Sequence, residues 1–268
     1  MNKLMKQYIK HIIPLFLGLF FAGCVSELDG PQGNLSGTFS LGLVADSMIV
    51  EVETRAGREL TDDEKSSFTV SLLQDGEAIW TNTPYANVTL ADRTQPVGAG
   101  YVVTAQSCTA DEAESVNDGW GQRRFYGQST TFSIAKNADT PVSVECSMAN
   151  AGLTVDFDES FTSFFTVGYS VTVVDERNLK FDAATTNRVA YYNVEADGTR
   201  DVRLLINASA GWDGMLKTID RTLTMQQGRV YRLHIRKGEH VIETGTLGVS
   251  ITYDETFDDG TTEEVLLN

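Results

Sequence analysis

Gly98-Ala99-Gly100-Tyr101-Val102-Val103-Thr104-Ala105 passes from a glycine-flanked turn into a strand. Tyr101, Val103 and Ala105 fall on one side of it, Val102 and Thr104 on the other, the period of two that an extended chain imposes. The same alternation recurs on both sides of this run. Upstream, Phe39, Leu41 and Leu43 alternate with smaller residues, Asp46-Ser47 marks a turn, and Ile49–Val52 resumes an extended segment. Phe68, Val70 and Leu72 form another strand, which Asp75-Gly76 turns back into Ala78-Ile79-Trp80. Downstream, Phe132-Ser133-Ile134 and Val142–Cys146 predict a hairpin around Asn137-Ala138-Asp139. Helical signal is confined to Thr61-Asp62-Asp63-Glu64, whose spacing predicts a capping box and one short turn. Thr109–Gly121 reads as a polar loop rich in Asp and Glu.

A fresh strand set begins at Leu153-Thr154-Val155-Asp156-Phe157, so Ala149-Asn150 reads as the hinge. Tyr169, Val171 and Val173 alternate, as do Val202, Leu204 and Ile206, then Tyr231, Leu233 and Ile235 after the turn Gln227-Gly228. Leu247, Val249, Ile251 and Tyr253, the acidic turn Phe257-Asp258-Asp259-Gly260 and a strand Glu263–Leu267 follow. Short strands separated by turn signals predict an all-β protein with two tandem β-sandwich domains, residues 37–149 and 150–268.

Ahead of them, Lys3, Lys6 and Lys10 precede an apolar run, Ile12 to Phe21, that ends in Ala22-Gly23-Cys24. A cationic head, a short apolar segment and a small-residue site make a secretory signal over residues 1–23. The run is shorter than the roughly 20 residues a bilayer span needs. Phe21-Ala22-Gly23-Cys24 resembles the lipobox of bacterial lipoproteins. The resemblance implies cleavage before Cys24, diacylglycerol on its sulfur and usually a further acyl chain on the new amine, together enough for stable anchoring. Ser26-Glu27-Leu28-Asp29 resembles the acidic signal that sends lipoproteins of gut-dwelling Bacteroidota to the cell exterior. The expected location is therefore the outer membrane, lipid-anchored and facing outward, with the periplasm-facing leaflet as the other reading, and with residues 24–36 as a tether containing Gly30-Pro31-Gln32-Gly33-Asn34.

The formal charge of the 268-residue chain is −16, and removing the three lysines of residues 1–23 makes it −19. Such a chain repels nucleic acid. After lipidation of Cys24 only Cys108 and Cys146 remain. An oxidising compartment would permit a bridge, but alternation puts Cys146 on the apolar face of its strand and Cys108 on the opposite side from Tyr101, Val103 and Ala105. Cys146 reads as a small buried hydrophobe.

Glu53-Thr54-Arg55-Ala56, Ser67-Phe68-Thr69-Val70, Gly100–Ala105, Trp120 with Tyr126-Gly127, and Val144-Glu145-Cys146 with Ala149-Asn150 occur in this order. Together they resemble a domain family of unknown function found in Bacteroidota lipoproteins. Gln227-Gly228-Arg229-Val230-Tyr231-Arg232-Leu233 is similar to the strand-rich halves of fimbrillin-type pilin and adhesin lipoproteins. The resemblance implies transthyretin-like or fimbrillin-like sandwiches and a non-enzymatic surface protein acting in cell adhesion or as a fimbria-like structural component. It further implies a cut after Arg55, before Ala56, that removes the anchor with residues 37–52 and opens a groove for a strand of the next subunit. A plain arginine at a strand end is the other reading of Arg55.

No G-x-S-x-G, H-E-x-x-H or phosphate loop is present, so no catalytic residue, metal site or cofactor is expected. Trp120, Arg124, Phe125 and Tyr126 are the candidate glycan contacts, because rings stack on sugars and arginine bridges hydroxyls; the same rings could simply close the end of a core. The glycan reading makes the chain a binding lipoprotein of a polysaccharide uptake system. Arg229, Arg232, Arg236 and Lys237 form a basic stripe that either meets an acidic neighbour or faces solvent, and His234 reads as solvated. The expected partners are the outer membrane through Cys24, with pilin-like subunits or surface glycans beyond it.

Overall fold

Alternation at period two carries through most of the chain, and the described residues are mostly β-strand with a few short helices. The computed structural model describes residues 35–45, 58–209, 216–237, 249–256 and 262–267. These belong to one compact unit, Leu35–Asn268.

Nine strands of the first half join in one sheet. They are β1 (Ser36–Ala45), β2 (Arg58–Glu59), β3 (Thr69–Gln74), β4 (Glu77–Pro84), β5 (Thr94–Pro96), β6 (Gly98–Gln106), β7 (Phe125–Gln128), β8 (Phe132–Ile134) and β9 (Asp139–Met148). The main path runs β2-β1-β9-β7-β6-β3-β4, with β5 on β1 and β8 on β6. The buried residues along β1, β3, β6 and β9 fall at alternate positions, and Phe39, Leu43, Val70, Leu72, Tyr101 and Val144 meet in a single apolar core. Each such aliphatic or aromatic side chain contributes about 1.5–3 kcal/mol on burial.

The expected hairpin of Phe132–Ile134 with Val142–Cys146 does not form. β8 pairs antiparallel with β6, while β9 lies between β7 and β1. Asn137, at a positive φ of 54°, turns the chain across the start of β1 rather than back along β8. Its N–H donates to Ser36 O, and Thr38 N–H donates to Ala138 O. Gly37 makes this crossing possible, since a Cβ there would stand 2.1 Å from the Ala135 carbonyl oxygen.

The second half supplies β10 (Asn150–Phe157), β11 (Gly168–Val173), β12 (Lys180–Phe181), β13 (Ala190–Asn193), β14 (Thr199–Ser209), β15 (Leu216–Gln226), β16 (Val230–Lys237), β17 (Val249–Thr256) and β18 (Thr262–Leu267). They form a five-stranded sheet, β13-β10-β16-β17-β18, and a four-stranded sheet, β12-β11-β14-β15. Leu153, Val155, Tyr231 and Leu233 of the first meet Val171, Phe181, Leu204 and Ile206 of the second in one buried cluster, which makes this half a sandwich. In each half one ladder is parallel, β1 with β9 and β10 with β16; the other described ladders are antiparallel.

Among the described residues helix is limited to pieces of one to two turns: α1 (Asp62–Lys65), α2 (Ala110–Ser115) and α3 (Glu159–Thr162), with a 3-10 turn at Tyr85–Asn87. Thr61 and Glu64 make the expected capping box on α1. Thr109 and Glu112 make a second one on α2, where a loop was expected.

Candidate functional site

Two features of this fold bear on function: the seating of the first strand, and the seam between the halves. β1 sits inside its sheet. Along one edge it runs parallel to β9 from Thr38 opposite Asp139 to Ala45 opposite Cys146. Along the other, β5 covers Ser36–Thr38 and β2 covers Val44 and Ala45. Phe39 and Leu43 are fully buried. The Phe39 ring lies 5.6 Å from that of Phe132. Leu41 is half-buried against the same core, and its carbonyl accepts the Tyr85 hydroxyl at 2.8 Å. Burial of Phe39 and Leu43 alone contributes about 3–6 kcal/mol.

The seam is built by α2 and the turn after it. Thr109's backbone N–H and hydroxyl hold the Glu112 carboxyl below the usual carboxylate range and fix the start of α2. The chain then reverses through Asn117, Asp118, Gly119 and Gly121, all at positive φ. At Gly121 a Cβ would stand 2.3 Å from the Ala113 carbonyl, so the reversal requires glycine. Second-half groups close on this turn. Asn193 N–H donates to Glu114 Oε1 at 2.6 Å and its side-chain amide to Ala110 O at 2.8 Å. Arg177 Nη1 donates to Gly119 O and to Tyr191 O, both at 2.9 Å, with its guanidinium 4.1 Å from the Tyr192 ring centre. Burial pushes the Tyr192 phenol above its usual value.

Ala149-Asn150, expected as a hinge, is a buried junction. Asn150 Oδ1 accepts the Arg124 N–H at 3.1 Å, its Nδ2 donates to Gln122 O at 2.8 Å, and its carbonyl accepts the Gly228 N–H at 3.0 Å.

The four candidate glycan residues do not converge on one surface. Trp120 is 7% exposed and belongs to the second-half core, edge-on to Phe181 at 4.9 Å and beneath the Arg188 guanidinium at 4.2 Å. Phe125 is buried in the first-half core. Tyr126, its neighbour on β7, points the other way and is 36% exposed. Arg124 lies 5.3 Å from the Tyr126 ring centre and reaches Cys108 O and Gln106 Oε1, both at 3.3 Å. The two flanking rings are thus core residues, and one ring with one arginine faces out. Cys24, Arg55 and Ala56 lie outside the described residues.

Cys108 and Cys146 are both free and buried. His234, expected in solvent, is largely covered, with Nδ1 3.2 Å from Asp156 Oδ2. Among the described residues no cluster of His, Cys, Asp and Glu suits a metal ion. The sequence reading did not find Arg177, Arg188, Asn150 or Asn193. The Thr109-x-x-Glu112 spacing could have revealed α2, but the long-range bonds of these side chains leave no local signal.

Residues 36–267 match the family described as Domain of unknown function (DUF4493). The chain belongs to this family. The DUF4493 match therefore takes in both halves and the seam between them. Among curated proteins none matches the chain. Among solved structures, this DUF4493 chain is similar to a fimbrial assembly protein from Parabacteroides distasonis at 13% identity, with a TM-score of 0.47 over 87% of this chain and 99% of that one. It is also similar to a fimbrial anchor protein from Porphyromonas gingivalis at 10% identity, with a TM-score of 0.44 over 85% and 99%.

Proposed function

We propose that this DUF4493 protein is a non-enzymatic lipoprotein of the bacterial outer surface, held by lipid on Cys24, that works by contact in cell adhesion or as a fimbria-like structural component. The observation that carries this reading is the seating of β1. The strand is flanked by β9 in parallel and by β5 and β2 at its ends, so no tight hairpin ties it to its main partner. Arg55 falls in the sequence between Ala45, the end of β1, and Arg58, the start of β2. A cut there frees β1 covalently and leaves β2 on the body. The slot so exposed has the Val142 and Val144 face of β9 along one side and accepts any extended segment with apolar residues at alternate positions, which is strand addition. A pilin-like subunit, including a second copy, supplies such a segment.

Mass spectrometry of the cell-surface form tests the assembly step: a chain beginning at Ala56 is expected, and an intact lipid-bearing Cys24 on all molecules rejects it. Metabolic labelling with a palmitate analogue tests the anchor. Label that persists in Cys24→Ser, or that is missing from the unaltered protein, rejects lipidation at that residue.

A further inference from the structure

Away from the β1 slot, a cleft of about 450 Å3 opens on the outer face of the five-stranded sheet. Its polar lining is Arg123, Thr154, Asp156, Thr186, Asn187 and Arg232, with three valines beside them. The parallel register of β10 and β16 sets Thr154 opposite Arg232 and Asp156 opposite His234. These residues alternate with Leu153, Val155, Leu233 and Ile235 of the core, so they point away from it. Thr154 is buried at the cleft. Asp156 is held by His234 at 3.2 Å. Arg123 arrives from the seam, where its Nε donates to the Tyr191 hydroxyl at 3.2 Å, and Thr186 and Asn187 come from the turn before β13.

On a chain of net charge −16, the described residues lining this cleft set two guanidinium groups against one carboxylate. Its volume falls within the roughly 300–1,000 Å3 of small-molecule sites, and its walls are concave, which suits a compact group better than another protein's flat face. We infer that the cleft binds an acidic saccharide, a sugar unit carrying a carboxylate. Guanidinium forks match a carboxylate in geometry and charge. The threonine hydroxyls, the Asn187 amide and the Asp156 carboxylate are the groups that exchange hydrogen bonds with ring hydroxyls. One of the basic residues of β16 that the sequence singled out, Arg232, thereby acquires a ligand. This site is separate from β1, so the inference stands or falls apart from strand exchange.

The test is calorimetric titration of the full-length protein in a neutral detergent with oligogalacturonate, neutral dextran oligomers and dextran sulfate. Oligogalacturonate is expected to bind and neutral dextran is not. Arg232→Gln and Arg123→Gln should each weaken oligogalacturonate about tenfold, as loss of one charge-assisted bond does. Arg203→Gln, on β14 of the other sheet, should leave it unchanged. Far-UV circular dichroism matching the unaltered protein shows that both cleft variants fold; Arg232 sits on β16 and not in the seam turn, so that variant keeps the test decisive if Arg123→Gln disturbs the seam. Absence of oligogalacturonate binding, equal binding of neutral dextran, or affinity insensitive to both cleft variants overturns the inference. Dextran sulfate binding as tightly and with the same sensitivity overturns the carboxylate assignment, and self-association abolished by Arg232→Glu identifies a protein partner instead.

Discussion

Replacing Trp120 by alanine separates a core role from a surface role at the most conspicuous aromatic of the chain. The indole is 7% exposed, packs edge-on against Phe181 at 4.9 Å and lies under Arg188 at 4.2 Å. A tryptophan buries about 150–250 Å2, equivalent to about 4–6 kcal/mol at 25 cal/mol per Å2. Alanine retains a fraction of that, while the lost edge-to-face pair adds about 0.5–1.5 kcal/mol. The expected loss is therefore about 4 kcal/mol, within the range of large-to-small core changes and a large fraction of a typical stability of 5–15 kcal/mol. Urea titration followed by far-UV circular dichroism measures it, and hydrogen exchange locates it. Protection should fall first in β10, β14 and β16, whose side chains share a core with Trp120 although that residue precedes all three in sequence. A loss below about 1 kcal/mol, or faster exchange confined to β3 and β6, refutes the placement of this ring in the second core.

Three further outcomes follow from the same structure. Asn150→Ala leaves the Arg124 N–H and the Gln122 carbonyl without their partner in a buried junction and should cost about 2–4 kcal/mol by urea titration; an unchanged midpoint would make the junction dispensable. Burial, and then the nearby Glu145 charge, push the Cys146 thiol from 9.0 up to about 12. Its neutral form is favoured in the folded chain, so this contribution is complete below about pH 9 and is lost as pH rises toward about 12; iodoacetamide at pH 8 should label Cys146 only after unfolding, and rapid labelling of the native thiol would contradict its burial. Arg203→Ala removes an exposed pair with Asp220 at 2.6 Å, and its melting temperature should match that of the unaltered protein, since water and salt screen such pairs; a clear drop would show the pair to be structural.

Much of the architecture was legible because strands announce themselves locally. Phe39, Leu43, Val70, Leu72, Tyr101 and Val103 alternate in the sequence and are buried in the fold, and Thr61 with Glu64 cap the turn they spell. Pairing was less legible. Nothing within Val142–Cys146 distinguishes a neighbour in hairpin from β1, about a hundred residues away, because both present the same apolar alternation; Gly37 and Asn137 decide it by letting the chain cross over β1. The candidate site suffered most. Trp120, Phe125 and Tyr126 look like one aromatic cluster in sequence, but the reversal at Asn117–Gly121 sends Trp120 into one core, and strand alternation sends Phe125 into another and Tyr126 outward. The cleft arginines, Arg123 and Arg232, are brought together only by the ladder of β10 with β16 and the seam.

Trp120's placement also bears on whether the first half can stand alone. In a chain that stops at Met148, every strand of the nine-stranded sheet is present, yet the indole has no Phe181 to rest on and no Arg188 above it. The turn at Asn117–Gly121 likewise waits for Arg177 and Asn193 to occupy Gly119, Ala110 and Glu114. A chain of that length carries an uncovered ring and unpaired carbonyls, the surface on which incomplete proteins aggregate. The later half therefore acts as a template that finishes the earlier one, and separating the two at Asn150 would yield fragments that each lack part of their interior.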